Sequence, residues 1–184
     1  LKFCVSTPNR GIMLAPDKLY DGDPNFEFVI TGQSDSDFAK DKADRKSVSG
    51  FSTWLNGAPV TQKSRKQKHV TLSVAEAEEG AAVECAQEML FMLNVVESIG
   101  FKVEQPMILK TDSKALFDMS NNWNVGGRTR HVRHAFLREL KERDVILLEW
   151  FPGVENASDM FTKNVTGPEL KRHIVKYVGE DEYG

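Results

Sequence analysis

Cysteine is almost missing. Cys4 and Cys85 are the only two among 184 residues, too few for a disulfide scaffold or a Cys-rich zinc site, and a reduced, intracellular setting is expected. Long apolar runs are lacking too: none approaches the roughly 18 residues of a membrane-spanning helix, and no basic-then-apolar leader opens the chain, so no membrane partner is expected. Neither sign of charge dominates, because 24 Lys and Arg face 27 Asp and Glu for a net of −3. That balance excludes a generally basic nucleic-acid coat but leaves room for local patches. There is no internal repeat and no low-complexity tract. What remains is ordinary globular material, 40% hydrophobic and 28% charged, enough for one domain and a small remainder.

Leu1 to Gly11 reads like the end of something longer, and Thr7 to Asn25 holds Pro8, Gly11, Pro16, Gly22 and Pro24, a density that marks a connector. A domain is therefore expected to begin at residue 26. Phe26, Phe28 and Ile30 alternate with Glu27, Val29 and Thr31 as in a strand with one buried face. A second strand over Ser49 to Leu55 ends in Asn56-Gly57, the dipeptide suited to a two-residue hairpin turn, and Ala58 to Gln62 returns as the third. From Ser73 to Ile99, the apolar residues Val74, Ala77, Ala81, Cys85, Met89, Met92, Val96 and Ile99 recur at helical steps, and Gly100 stops the pattern. Met107 to Lys110 reads as a strand leading through Thr111-Asp112 into a helix over Ser113 to Met119. Helices from Val132 to Arg143 and from Asn156 to Lys163 flank a strand at Val145 to Phe151. Pro168 to Val178 forms a last helix, with Pro near its first turn. Strands alternating with helices late in the chain predict a mixed α/β fold with parallel pairing there.

Asp35, just beyond the first strand, Glu78, early in the long helix, Asp112, at a strand tip, and Asp159, at a helix start, sit on four different elements. Singly, each suits a helix N-terminus or a solvated position. Together, acids at strand ends and helix starts can converge on the crevice where α/β proteins place their sites. Ionised carboxylates held close repel and raise one another's pKa, so such a cluster calls for a compensating hard cation such as magnesium. Two such ions can stabilise the attacking and leaving oxygens of a phosphodiester displacement.

Ser34-Asp35-Ser36-Asp37-Phe38-Ala39, Arg45-Lys46-Ser47-Val48-Ser49-Gly50, Leu72-Ser73-Val74-Ala75-Glu76-Ala77-Glu78, Thr111-Asp112-Ser113 and Glu155-Asn156-Ala157-Ser158-Asp159-Met160-Phe161-Thr162-Lys163 closely resemble the ribonuclease H domain of copia-type LTR retrotransposon Pol polyproteins. The resemblance covers roughly residues 26–165. It implies a ribonuclease-H-like five-stranded mixed sheet of order 3-2-1-4-5, with the first three strands antiparallel and helices flanking it. It also implies hydrolysis of the RNA strand of RNA–DNA hybrids with two Mg²⁺ ions, for which Mn²⁺ can substitute. By the same resemblance Asp35, Glu78, Asp112 and Asp159 are the metal ligands and catalytic acids. Asp37 and Glu76 are the neighbouring acids outside the motif positions. Residues 1–25 would close a reverse transcriptase connection and its linker, residues 26–165 the ribonuclease H domain, and residues 166–184 a helix and tail. The reverse transcriptase of the same polyprotein becomes the expected partner, and a cytoplasmic virus-like particle the expected location.

Two features depart from the family pattern. Glu79 stands where a large residue such as Tyr is usual, and the segment between Thr129 and Glu139 is shorter than in relatives. They support an alternative, a catalytically inactive ribonuclease-H-like module that binds template duplex for a neighbouring polymerase. An integrase-like nuclease is a further rival, needing three acids and acting on DNA ends.

Lys63, Arg65, Lys66, Lys68 and His69 form one basic cluster. Arg128, Arg130, Arg133, Arg138, Lys141 and Arg143 form another, six cations against Glu139, Glu142 and Asp144. That local excess favours phosphate contact, which positions a duplex without reading its sequence. His131 and His134 lack a third ligand for zinc. Preference for RNA requires contact with the 2′-hydroxyl, for which Ser36, Ser113 and Asn156 are candidates. Trp54 and Trp150, inside predicted strands, are expected to pack the core.

Overall fold

The computed structural model describes residues 11–39, 43–121 and 132–178, with the side chains of 132–134 excepted. Its central sheet contains β2 (Ile30–Asp37), β3 (Val48–Leu55), β4 (Ala58–Lys66), β6 (Met107–Thr111) and β7 (Ile146–Trp150). The spatial order is β4-β3-β2-β6-β7. The β2–β3 and β3–β4 pairs are antiparallel, and β2–β6 and β6–β7 are parallel. This is the 3-2-1-4-5 arrangement expected from the resemblance.

Two positive backbone angles, φ 49° at Asn56 and φ 85° at Gly57, make the turn between β3 and β4, the conformation for which Asn-Gly is suited. Asn56 does more than turn. Its Oδ1 accepts the Val29 N–H at 2.7 Å, and its Nδ2 donates to the Lys18 carbonyl at 2.9 Å. The connector is thereby pinned against the sheet edge, with Asp17 N–H on the Asn56 carbonyl and Met13 N–H on that of Tyr177.

Helix α1 (Val74–Ser98) begins at Ser73, whose Oγ accepts the Glu76 N–H, while Glu76 turns back to accept the Leu72 N–H. This reciprocal capping holds one orphan donor of the first turn, Glu76 N–H, and the Leu72 N–H just ahead of the cap. The apolar face buries Cys85, Met89, Met92 and Val96 against Ile30, Phe51 and Leu109, and Leu116, Leu137 and Leu140 complete that core. The ends of the expected stripe differ: Val74 is 55% and Ile99 65% exposed, because the sheet beneath is shorter than the helix.

The first expected strand is divided. Phe28 ends a short strand β1 (Glu27–Phe28), which pairs in parallel with β5 (Lys102–Val103), and β2 starts only at Ile30. Aromatic packing explains the break. Phe26 and Phe28 lie 5.0 Å apart and join Tyr20 and Phe101, at 5.4 Å from Phe26 and 5.2 Å from Phe28 respectively, an edge-to-face cluster outside the main sheet.

Helices α2 (Lys114–Asn121) and α3 (Val132–Glu142) follow β6. In place of one helix from Asn156 to Lys163, a 3-10 turn over Gly153–Glu155 leads to the four-residue α4 (Asp159–Thr162). The last helix, α5 (Gly167–Val178), builds a second core on the opposite sheet face, where Ile174, Tyr177 and Val178 cover Trp54 and Ala157. Tyr177 Oη and Ser52 Oγ are 2.8 Å apart in a buried hydrogen bond.

Candidate active site

β2 alternates in the side chains it offers to the two sheet faces. Gln33 and Asp35 point to the α4 side: Gln33 Oε1 accepts the Ala157 N–H, and Thr162 Oγ1 donates to Asp35 Oδ2. Asp35 is thus inside β2, paired across to Gly50, not beyond the strand as its sequence neighbours suggested. Glu78 arrives from the second turn of α1. Its Oε1 accepts both the Ser36 Oγ–H at 2.8 Å and the Ser36 N–H at 3.2 Å. Asp112 follows the last residue of β6, and its main-chain carbonyl accepts the Trp150 indole N–H at 3.0 Å. Distant in sequence, Asp35, Glu78 and Asp112 each offer a carboxylate oxygen, and these atoms all lie within 4.8 Å of one another.

Asp159 flanks this set without joining it. It stands beside Asp35, close enough to raise that residue's pKa, and is paired with Lys163 Nζ at 2.8 Å. Lys163 works against its own partial burial: the bond to Asp159 and the charges of Asp35 and Asp112 hold the ammonium above its ordinary pKa.

Burial pushes Asp35 up to about 6, opposed by the Thr162 hydroxyl and reinforced by the Asp159 charge. Burial also pushes Glu78 up to about 8, with Asp35 adding to the rise and Ser36 opposing it. Asp112 is raised for the same reasons, burial first and Asp35 second. Converging carboxylates that desolvate and repel one another are an energetic liability without a counter-ion.

The donor set fits a hard divalent cation. Glu78 Oε2 is buried with no hydrogen-bond partner among the described residues, and a Cβ built on Gly153 would lie 2.8 Å from Asp112 Oδ2. Oxygen ligands, a free lone pair and a third carboxylate that only glycine lets lie so close to the loop suit magnesium or manganese chemistry.

The expected nucleic-acid residues separate. Ser36 is half-buried and bonded to Glu78. Ser113, also half-buried, receives the Leu116 N–H at 3.3 Å at the start of α2. Asn156 is fully buried, against its expected place on the substrate face. Its Nδ2 donates to the Ser34 carbonyl at 3.0 Å and its Oδ1 accepts the Ser158 N–H at 3.1 Å, so it braces the loop carrying Asp159. Arg128, Arg130 and His131 lie outside the described residues, and of Arg133 and His134 only the backbone is described. Further along that basic segment Arg138 pairs with Glu142 at 2.9 Å and Arg143 with Glu139 at 3.3 Å, while Lys141 Nζ donates to the Ser120 carbonyl at 3.3 Å. In the first cluster Arg65 meets Glu84 at 3.4 Å and Lys66 meets Asp44 at 2.8 Å. Trp54 packs the core as expected, but Trp150 is 47% exposed beside Asp112. Glu79 is buried.

Sequence reasoning missed Thr162 as a site residue. Its one signal was its place three residues after Asp159.

The sheet order and helix placement define a ribonuclease-H-like fold. The solved structure of LC11-RNase H1 in complex with an RNA/DNA hybrid superposes with a TM-score of 0.55 over 72% of this chain and 93% of that one, at 14% identity. No family model matches the sequence. Among its relatives are retrovirus-related Pol polyproteins from plant transposons, in agreement with the copia-type resemblance. The polyprotein of transposon TNT 1-94 from Nicotiana tabacum is 32% identical over 150 residues, 80% of this chain. That of transposon RE1 from Arabidopsis thaliana is 24% identical over 165 residues, 89% of this chain. The chain spans 11% of the length of each.

Proposed function

We propose that this chain is a divalent-cation-dependent ribonuclease H that hydrolyses the RNA strand of RNA–DNA hybrids during retrotransposon reverse transcription. The observation that carries the reading is the convergence of Asp35, Glu78 and Asp112, from a strand interior, a helix start and a strand end, within 4.8 Å. Such gathering opposes electrostatic repulsion and is sensible where a cation is to be held.

Asp35, Glu78 and Asp112 would hold Mg²⁺ or Mn²⁺, with Asp159 beside them. When bound, the cations neutralise developing charge on the phosphate and make water a better nucleophile. The residues of the chain prepare that step. Ser36 fixes one Glu78 oxygen and leaves the other free; Asn156 holds the loop bearing Asp159; Lys163 balances the Asp159 charge. Ser113 at the start of α2, and Arg128, Arg130 and Arg133 in the basic segment, are proposed to meet the duplex, chiefly its phosphates. The rest of a Pol polyprotein, including its reverse transcriptase, would be the partner, in a cytoplasmic particle.

Purified chain incubated with a labelled hybrid and Mg²⁺ is expected to cut RNA and spare DNA. Asp112→Asn is expected to lower the rate by about a hundredfold or more while folding normally, as loss of a group that stabilises transition-state charge does. Hybrid binding without cleavage by the unmutated chain would favour the non-catalytic module instead.

A further inference from the structure

Asp35 is anchored from an unexpected side. Its Oδ2 accepts a hydrogen bond from Thr162 Oγ1, a residue 127 positions later in the chain. We propose that Thr162 is a positioning residue that orients the Asp35 carboxylate for cation binding, and through it for hydrolysis. The proposal rests on the nuclease reading above.

Both partners are buried, Asp35 at 3% and Thr162 at 4% exposure, so the orientation of Asp35 is set by protein atoms. A hydroxyl has one proton to give. Thr162 Oγ1 lies 3.2 Å from its own helix's Asp159 carbonyl, the ordinary resting place of a helical threonine. A carboxylate is the stronger acceptor, and the proton is directed to Asp35 whenever that acid is ionised. One Asp35 oxygen is thereby bonded to the protein, in a carboxylate that also offers an oxygen within 4.8 Å of those of Glu78 and Asp112.

The backbone fixes this alignment. Gly50 is the cross-strand partner of Asp35. A Cβ there would stand 2.6 Å from Thr162 Cγ2, 2.9 Å from Phe161 Cβ and 3.1 Å from the Ser158 carbonyl. Helix α4 therefore rests on the bare main chain of β3, alongside Asp35. The same four residues carry Asp159 at one end and Thr162 at the other, so one short element supplies both the flanking acid and the orienting hydroxyl.

Thr162→Val keeps the methyl that packs on Gly50 and removes the hydroxyl; Thr162→Ser does the reverse. Two readings are taken on each: the rise in melting temperature on adding Mg²⁺ alone, and the Mg²⁺ concentration giving half-maximal hybrid cleavage. Thr162→Val is expected to lose most of the Mg²⁺-induced rise and to need about ten times more Mg²⁺ or beyond, the usual scale for an outer partner of a metal ligand. Thr162→Ser is expected to stay within about threefold of the parent on that scale. A parent-like Mg²⁺ response in Thr162→Val, or equal impairment of the two variants, overturns the proposal. If Thr162→Val does not fold, Thr162→Ala replaces it: impairment of Ala with retention in Ser supports the proposal, and equality overturns it. A parent chain with neither Mg²⁺ response nor cleavage sinks the nuclease reading and this inference together. A parent that has both, beside an unaffected Thr162→Val, sinks the inference alone.

Discussion

Glu78 carries an uneven burden, one oxygen bonded twice by Ser36 and the other buried without a donor among the described residues. Its pKa of about 8 in the folded chain stands above an ordinary value of 4.5. The folded state therefore holds a proton that the unfolded state releases. Stability from this group is full below pH 4.5 and is lost as pH rises through about 8, following the linkage of protonation to folding. In the presence of EDTA the melting temperature should fall between those limits, and Glu78→Gln, which cannot ionise, should flatten the fall. At pH 8 the variant should melt about 3 to 8 °C higher than the parent, taking roughly 1 to 2 kcal/mol at a few degrees per kcal/mol. A variant that melts lower at pH 8 and tracks the parent's slope would refute this. Glu78 and Asp112 were legible in the sequence because a helix start and a strand end are visible in local pattern, whereas Asp35 stood out only by its motif and its place inside β2 did not. Thr162 was not. A hydroxyl that serves a carboxylate across the fold has no local signature, and Asn156 looked exposed because polarity alone does not distinguish a buried brace from a surface contact.

At the scale of elements, the seat of α4 on β3 yields a test that leaves every polar group in place. Gly50→Ala puts a methyl into space held by Thr162 Cγ2 and Phe161 Cβ. Packed interiors absorb such insertions by shifting, and α4 must move away from Asp35. The expected result is a loss of about 1 to 3 kcal/mol in denaturant unfolding, with a fall in hybrid cleavage larger than the stability loss explains at saturating folding. Parent-level cleavage would show that α4 is free to shift without consequence. Regular elements were largely readable. The Asn56-Gly57 turn, the long helix and β6 followed from turn chemistry and periodicity. The failures came where tertiary packing overruled pattern: four aromatic rings drew residues 26 to 28 out of the main sheet, and the α4 region became a turn plus four helical residues because Asn156 ties its loop to Ser34.

For the whole molecule, the boundaries expected at residues 26 and 165 divide what the packing joins. The connector before residue 26 is held by Asn56 and by the Tyr177 carbonyl, and α5, beyond residue 165, covers Trp54 with Ile174, Tyr177 and Val178. One face of the sheet thus takes its cover from α5 and the α4 region, with the connector bonded at its margin, while α1 covers the other. We propose that the folding unit extends through α5. A chain ending at Val165 would expose the apolar surface of Trp54 and Phe161 and lose the buried Ser52–Tyr177 bond, at roughly 1.5 to 3 kcal/mol for each large side chain uncovered. Such a loss is a large share of the few kcal/mol by which domains are stable. The truncated chain should melt at least 10 °C lower than the full one, and its β3 amides should lose hydrogen-exchange protection ahead of those in α1. Equal melting temperatures for the two chains would return α5 to the status of a tail. If β3 instead loosens on truncation, α4 loosens with it, because α4 rests on Gly50, and the Mg²⁺ response should weaken although all four acids remain.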